Sequence, residues 1–404
     1  MRLLYILGSF PFSGEKEEFF FPEIDQLAKD GNEVVIVPRI ASGDLIPEAR
    51  TLDLDWQLLQ PLVSLPILKG FILELAQNPK GIWRVVRLVS QSKGVGDLTK
   101  NVLVIPKAAW LAREARGRKV EHIHVHWATT TATLALLTSE LTGIPWSLSA
   151  HRGDIVANNL LELKLKTASF VRFISNSGIQ LARERTNLQP DAKWKMIRMG
   201  VQLDPGFSVR KHPENSPPVV LCPAGLVPVK GHTYLIHAIA QLKRGGLIVK
   251  LLLAGDGPTR IALRQLVNEL SVAEAVEFLG HLPQGKLFEL YRSGGVDLVV
   301  VPSVDLGGGE QEGVPVSLLE AMAYGIPTIS TRTGGIPESL GEGECLLVQD
   351  KNPDALADAI KRILQNKELR NEIVLRGHKK VIEEFDVRVV SKKLEECFRC
   401  ALAP

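Results

Sequence analysis

The chain has 404 residues, of which 45% are hydrophobic and 23% charged, with a formal net charge of +3. That length suits two medium domains better than one, and the composition is ordinary for a soluble globular protein. The small charge, with no P-loop, helix-turn-helix or zinc-finger spacing, argues against a nucleic acid partner, and no apolar run approaches the roughly 20 residues of a membrane span.

The first half opens on a strand at Leu3–Leu7, because Met1–Gly8 is too short an apolar run for a signal segment. A turn follows at Gly8–Gly14, then a helix from about Glu15 to Lys29, closed by Asp30-Gly31-Asn32. The next strand is Glu33–Val37, and further strands fall at His122–His126 and Trp146–Ala150. Strand, turn, helix, strand is the opening of a doubly wound sheet.

Residues 56–119 differ from the rest. They hold eleven Lys/Arg (Lys69, Lys80, Arg84, Arg87, Lys93, Lys100, Lys107, Arg113, Arg116, Arg118 and Lys119) against three acids (Glu74, Asp97 and Glu114). Their net of +8 leaves −5 for the remaining chain. Trp56, Leu58, Leu59, Leu62, Leu65, Ile67, Leu68, Phe71, Ile72 and Trp83 lie among these cations. One reading is a face for a membrane surface or a lipid acceptor. The other is a helix pair packed on the sheet with a solvated basic side.

A punctuated stretch from Asp204 to Pro218 reads as a domain linker. The second half then alternates regularly. Strands are expected at Val219–Cys222, Ile248–Ala254, Val276–Leu279, Leu298–Val301 and Thr328–Ser330. Helices are expected between them at His232–Lys243, Arg260–Leu270, Lys286–Ser293 and Ser317–Tyr324. Such alternation predicts a second parallel sheet. Two sheet-and-helix domains facing a central cleft would bind a ligand at the carboxyl ends of their strands.

Five features weigh less. The wide spacing of Cys222, Cys345, Cys397 and Cys400 is no disulfide framework, which points to a reducing cytoplasm. Cys397-Phe-Arg-Cys400 has no second pair to complete a metal site. His122, His124 and His126 alternate along one strand, so they share a face but are badly placed to converge on a metal. Asp53-Leu-Asp55 lacks a strand–loop context, and Gly255-Asp-Gly257-Pro258 lacks the third glycine of a dinucleotide site.

The stretch Glu312-Gly-Val-Pro-Val-Ser-Leu-Leu-Glu320-Ala-Met-Ala-Tyr-Gly325 carries the chemistry. Pro315 suits the first turn of a helix, and Gly325 its end. The N–H groups of Val316 and Ser317, at the positive end of the helix dipole, would make an anion site that fits a diphosphate. Glu312 precedes this site and Glu320 lies more than one turn inside the helix. One carboxylate can therefore serve a sugar, and the other the ribose on the far side of the phosphates.

This stretch resembles the Glu-x7-Glu motif of family-4 retaining glycosyltransferases with the GT-B fold. The resemblance extends through Val229-Lys-Gly231-His, Ala254-Gly-Asp-Gly-Pro258, Val276-Glu-Phe-Leu-Gly280, Val301-Pro-Ser303 and Gly334-Gly-Ile-Pro-Glu338. It runs more thinly through Phe10-Pro-Phe-Ser-Gly14-Glu, His124-Val-His126-Trp-Ala, Ser149-Ala-His151-Arg-Gly-Asp154 and Met199-Gly200-Val-Gln-Leu-Asp204. Gly307-Gly-Gly-Glu-Gln-Glu312-Gly-Val-Pro-Val is most similar to the branch that builds exopolysaccharides and cell-surface glycans.

The resemblance implies an α/β protein of two Rossmann-like domains. Residues 1–205 would bind the acceptor, residues 206–385 the donor, and a terminal helix at 386–404 would pack back on the first domain. It implies a retaining hexosyltransferase that uses a nucleoside-diphosphate sugar, with UDP or GDP as carrier, and no metal or other cofactor. The acceptor would be a glycan or a lipid-linked acceptor, and the enzyme cytoplasmic, soluble or peripheral to the membrane. Glu320 would bind ribose hydroxyls. Glu312 would contact the donor sugar and stabilise its oxocarbenium-like transition state. The amides of Gly313, Val314, Pro315's neighbour Val316 and Ser317 would hold the diphosphate, and Lys230 would neutralise it on leaving. Gly280, His281 and Leu282 would touch the base. His151 would sit under the reacting sugar, and Gly14 would let the first loop come close to the donor. The chain departs from the family at Gly225, where an Arg usually clamps the phosphate, and Arg152 is the cation suggested to compensate. Two other functions share the fold: a nucleotide-sugar 2-epimerase, and a non-catalytic nucleotide-sugar-binding protein.

Overall fold

A computed structural model describes residues 1–12, 17–52, 55, 58–203, 215–307 and 311–402. The chain forms two compact units, Met1–Gly200 with Val387–Pro404, and Val201–Asp386.

The first unit is built on a six-stranded parallel sheet. Its strands are β1 (Arg2–Leu7), β2 (Glu33–Pro38), β3 (His122–His126), β4 (Trp146–Ala150), β5 (Phe170–Phe173) and β6 (Trp194–Met196), in the order β2-β1-β3-β4-β5-β6. Strands β3, β4 and β5 are buried along their whole length, as expected for a parallel sheet covered on both faces. The covering helices are α1 (Phe21–Lys29), α2 (Leu65–Gln77), α3 (Pro79–Val89), α4 (Val95–Leu103), α5 (Ile105–Gly117), α6 (Thr130–Thr142), α7 (Arg152–Ala157), α8 (Leu161–Thr167) and α9 (Asn176–Thr186).

Helix α1 begins at Phe21, later than the start at Glu15 expected from sequence. Pro22 sits in its first turn, the one helical position where a missing N–H costs nothing. Upstream, the Glu17 carboxylate is taken by the backbone N–H groups of Gly8, Ser9 and Phe10, which holds that residue to the loop after β1. Residues 13–16, including Gly14, lie outside the described residues, as do Asp53 and Trp56.

The second unit repeats the architecture. Strands β7 (Val219–Pro223), β8 (Lys250–Ala254), β9 (Val276–Gly280), β10 (Leu298–Val301), β11 (Thr328–Thr331) and β12 (Leu346–Val348) are parallel, in the order β12-β11-β10-β7-β8-β9. Strand β8 starts two residues after the expected Ile248, whose side chain is exposed. The helices are α10 (His232–Arg244), α11 (Arg260–Glu269), α12 (Gln284–Arg292), α13 (Val316–Ala323), α14 (Ile336–Ser339), α15 (Pro353–Gln365) and α16 (Lys367–Lys380). Most of the expected linker, residues 204–214, lies outside the described residues.

The last helix, α17 (Val387–Leu402), belongs to the first unit and packs on α1. Leu394 and Phe398 are fully buried on that face. The Phe398 ring lies 5.1 Å from His122, 5.3 Å from His124 and 5.7 Å from Phe170.

Candidate functional site

In the second unit the chain runs β7, β8, β9 to one side of the sheet and then crosses to β10, β11, β12 on the other. The direction of winding therefore reverses between β7 and β10, the position where open α/β sheets bind ligands. The loops after these two strands carry Lys230 and Glu312. Val304 N–H donates to Val229 O at 2.8 Å, tying the loops together. Gly231 has φ +67°, and a Cβ there would lie 2.0 Å from Pro302 O, so only glycine lets the loops meet.

Lys230 Nζ is ion-paired with Glu312 Oε2, each side chain about one-fifth exposed. The family resemblance assigns these residues to different parts of a donor; the structure brings them into direct contact. The Glu312 backbone is held from behind. Gly335 N–H donates to Glu312 O at 3.0 Å, and a Cβ on Gly334 would fall 1.9 Å from the same oxygen. The Gly334-Gly335 pair thus seats the loop that presents Glu312.

Gly313 to Pro315 lead from Glu312 into α13. Pro315 is the residue flanking that helix, and Leu318 and Leu319 make the first intrahelical bonds, both to Pro315 O. The N–H groups of Val316 and Ser317 precede that ladder at the positive end of the dipole. The helix is Val316–Ala323, one residue earlier at each end than expected. Glu320 is buried at 6% exposure, and Gln284 on α12 donates to its Oε1 at 2.5 Å. Burial pushes the Glu320 carboxyl up to about 7, although the Gln284 hydrogen bond opposes the shift. Gly225 follows β7 with open surroundings: an added Cβ would meet only Asp256 O, at 3.8 Å. Gly280 ends β9 with φ +73°, and His281 and Leu282 follow it.

His151 and Arg152 belong to the first unit, at the start of α7 after β4. His151 is 7% exposed. Trp127 lies against its ring with centroids 4.3 Å apart, and Phe20 meets it edge-on at 5.9 Å. Burial, with the nearby His126 and Arg172, holds the His151 imidazole well below its usual range, so it is neutral at physiological pH. Asp154, one turn on, accepts from the backbone N–H of Ala128, and Lys164 donates to the carbonyls of Ala128, Thr129 and Asn159 at 2.9, 2.7 and 2.6 Å. These bonds fix the loops after β3 and β4 to each other.

A buried polar network under this loop escapes sequence reading. Arg172 on β5 is fully buried and donates to Ile197 O at 2.9 Å, Arg198 O at 2.5 Å and Glu23 Oε2 at 2.6 Å. Tyr5 donates to Glu23 Oε1 at 2.5 Å, and His126 Nε2 lies 3.1 Å from the same oxygen. Burial opposes ionisation of Glu23, but Arg172, His126 and Tyr5 together hold its carboxyl well below the usual range. A signal was available: Arg172 sits in Phe170-Val-Arg-Phe173, and a cation in an apolar central strand needs a buried partner. His122, His124 and His126 share one face, as expected. Ser147 and Ser149 pair both ring nitrogens of His124, while His122 meets Ser147 through Nε2 and its buried Nδ1 has no partner; among the described residues no group of three His, Cys, Asp or Glu is arranged to hold a metal ion.

Residues 207–380 match the family model "Glycosyl transferases group 1". The chain is 32% identical over 209 residues to the putative colanic acid biosynthesis glycosyltransferase WcaL of Escherichia coli, covering 51% of this chain and 50% of that protein. It is 27% identical over 310 residues to the N-acetyl-alpha-D-glucosaminyl L-malate synthase of Bacillus anthracis, covering 72% of this chain and 77% of that one. The chain thus spans about half the length of the colanic acid relative it matches. Among solved structures it superposes on a glycosyltransferase from Rickettsia africae with a TM-score of 0.71 at 18% identity, covering 99% and 98% of the two chains. Anabaena Alr3699/HepE, solved with UDP and glucose, superposes with a TM-score of 0.67 at 17% identity over 99% of this chain and 100% of that one. Two Rossmann-like domains of the GT-B type are therefore this chain's fold, and it is related to bacterial glycosyltransferases of exopolysaccharide biosynthesis.

Proposed function

We propose that this protein is a retaining glycosyltransferase that moves a sugar from a nucleoside-diphosphate donor to a glycan or lipid-linked acceptor without a metal. The observation that carries this is the Lys230–Glu312 pair at the reversal point of the second sheet, immediately before the N-terminus of α13. The diphosphate would lie across the Val316 and Ser317 N–H groups, with Lys230 against its oxygens. As the bond from C1 to the leaving phosphate oxygen breaks, Lys230 and the helix dipole take up the charge that develops there. The leaving oxygen accepts the proton of the acceptor hydroxyl, and the new C1–O bond forms on the same face. Glu312, freed to share Lys230 with the phosphate, sets a negative charge beside the cationic sugar. Glu320 would accept from the ribose hydroxyls, Gly280 to Leu282 would border the base, and His151 would contact the sugar. Arg152 remains the suggested second cation for the phosphate.

The acceptor side of this reading extends to a surface. Of the seventeen large apolar side chains exposed among the described residues, eleven lie between Val63 and Leu103, which makes them a patch rather than scatter. Leu65, Leu68, Ile72 and Leu75 share one face of α2, and Trp83 and Val86 one face of α3. Exposed Lys69, Lys80, Arg87, Lys93 and Lys100 are interspersed. This composition suits an anionic membrane surface carrying a lipid-linked acceptor. Other cations counted from sequence are spent elsewhere: Lys107 is buried against the carbonyls of Pro38, Arg39 and Gln60, and Arg116 pairs with Glu74.

The reaction is tested by incubating the protein with a panel of nucleotide sugars and lipid or glycan acceptors, beside Lys230→Ala. Sugar transfer, or slow donor hydrolysis, with kcat about 10²–10³ lower in the variant is the expected result. Interconversion of the free donors would instead identify an epimerase, and tight binding without turnover a binding protein.

A further inference from the structure

An ionised carboxylate can only accept hydrogen bonds. Glu23 Oε1 faces two groups, the Tyr5 hydroxyl at 2.5 Å and His126 Nε2 at 3.1 Å, while Oε2 is held by Arg172 at 2.6 Å. The single hydroxyl hydrogen of Tyr5 goes to Glu23, its nearer partner, since His126 Nε2 is 3.4 Å away. His126 Nε2 must therefore carry a hydrogen of its own. The ring is completely buried, so it stays neutral and its Nδ1 keeps a lone pair. His151 Nε2 lies 3.4 Å from that Nδ1. Two lone pairs cannot face each other there, so His151 Nε2 carries the hydrogen and donates. The contact is long, as hydrogen bonds in unliganded sites often are. Trp127 packed against the His151 ring keeps it aimed at His126.

We infer that Glu23, acting through His126, fixes the tautomer of His151, so that His151 presents Nδ1 to the donor sugar as a hydrogen-bond acceptor. This rests on the proposed contact between His151 and the donor. Glu23 and His126 are positioning residues; neither touches the sugar. The chemistry is selective. A sugar hydroxyl at Nδ1 must donate its hydrogen, so a donor that is deoxygenated or O-methylated at that position loses the contact. Arg172 keeps the array one-directional, because its charge satisfies the carboxylate without sending a second proton to His126.

The test reads the ring nitrogens of histidine in 15N-labelled protein by long-range correlation spectra, with His151 assigned from a His151→Gln variant. The expected free-protein pattern is an N–H at Nε2 of His151 and a bare Nδ1. In Glu23→Gln the amide can turn its NH2 toward His126, which permits the opposite set, so the His151 signals shift toward Nδ1–H. His126→Phe leaves the Glu23–Arg172 pair in place and removes the acceptor, so the two His151 tautomers mix. Its kcat falls about tenfold, the rate of a lost oriented hydrogen bond, with KM for the acceptor little changed. A wild-type His151 with its hydrogen on Nδ1 overturns the inference, whatever the variants do. So does a wild-type pattern retained in whichever variant folds. No substrate is needed for this readout, so a protein that shows the tautomer but transfers no sugar counts against the proposed reaction and leaves the network standing.

Discussion

Lys230 and Glu312 neutralise one another across the loops after β7 and β10. A diphosphate drawn to this point meets little surplus positive charge beyond the roughly half-charge of the α13 dipole. Gly225, where the family resemblance would place a phosphate-clamping Arg, follows the same strand as Lys230. Its backbone is ordinary and its surroundings leave room for a side chain. Gly225→Arg is therefore expected to fold normally and to bind nucleoside diphosphates about tenfold more tightly, a gain typical of one charge-assisted contact. Isothermal titration against wild type checks this; unchanged affinity would show that another cation already serves the phosphate. Glu320 adds a pH dependence. Its folded pKa is raised to about 7 by burial, so the stability it contributes is present at low pH and lost as pH rises from its unfolded value through 7. In the proposed site ribose hydroxyls donate to Glu320 and favour its ionised form, so nucleoside affinity should rise over the same interval. A nucleoside without phosphate, which does not titrate there, should bind about tenfold more weakly near pH 6 than near pH 8, and Glu320→Gln should bind weakly with no pH dependence.

At the scale of elements, α2, α3 and α4 divide their side chains between two tasks. Ile67, Ile82, Val85 and Val89 face the core, while Trp83 and Val86 on α3 face solvent beside Lys80 and Arg87. Arg87 lies 5.8 Å from the centre of the Trp83 ring, so cation and aromatic form one surface feature. Each basic group near an anionic bilayer is worth about 1 kcal/mol. The double variant Lys80→Glu/Arg87→Glu reverses two charges and should weaken binding to phosphatidylglycerol-containing vesicles by about tenfold or more. Wild-type protein should release from those vesicles as salt rises and should hardly bind neutral phosphatidylcholine. Flotation with both vesicle types measures this, and failure of the wild type to float with anionic vesicles at low salt would remove the membrane from the proposal. Soluble-donor hydrolysis should be unchanged in the double variant, because neither residue is among those proposed to hold the donor.

Across the whole molecule, the chain returns at its end to the unit where it began. Helix α17 closes one face of the first sheet, and Phe398 seals the end of the buried ladder at His122 and His124. Phe398→Ala should destabilise the first unit by about 3–5 kcal/mol, the usual loss for deleting a fully buried aromatic ring. Denaturant melting followed by tryptophan fluorescence reports it, with five of the six tryptophans of the chain, Trp83, Trp110, Trp127, Trp146 and Trp194, among the described residues of that unit. A loss below about 1 kcal/mol would mean that α17 docks without sealing the core.

The sequence by itself determined that there are two parallel sheets, placed β1 to β4 and β7 to β11 to within two residues while missing β5, β6 and β12, and found the helix that follows Glu312 and carries Glu320. Hydrophobic periodicity and Gly/Pro punctuation are local properties, so these could be read without tertiary information. Its resemblance to a known family marked Lys230 and Glu312 as separate site residues. Only the tertiary structure decided that they pair, because their contact depends on which strands lie beside the reversal point of the sheet. Only it revealed Glu23, Tyr5 and Arg172, which are far apart in sequence and gain meaning through shared burial. In the basic segment, sequence counted charges, but packing decided which ones reach the surface: Lys107 went inside to three carbonyls, while Lys80 and Arg87 remained beside Trp83.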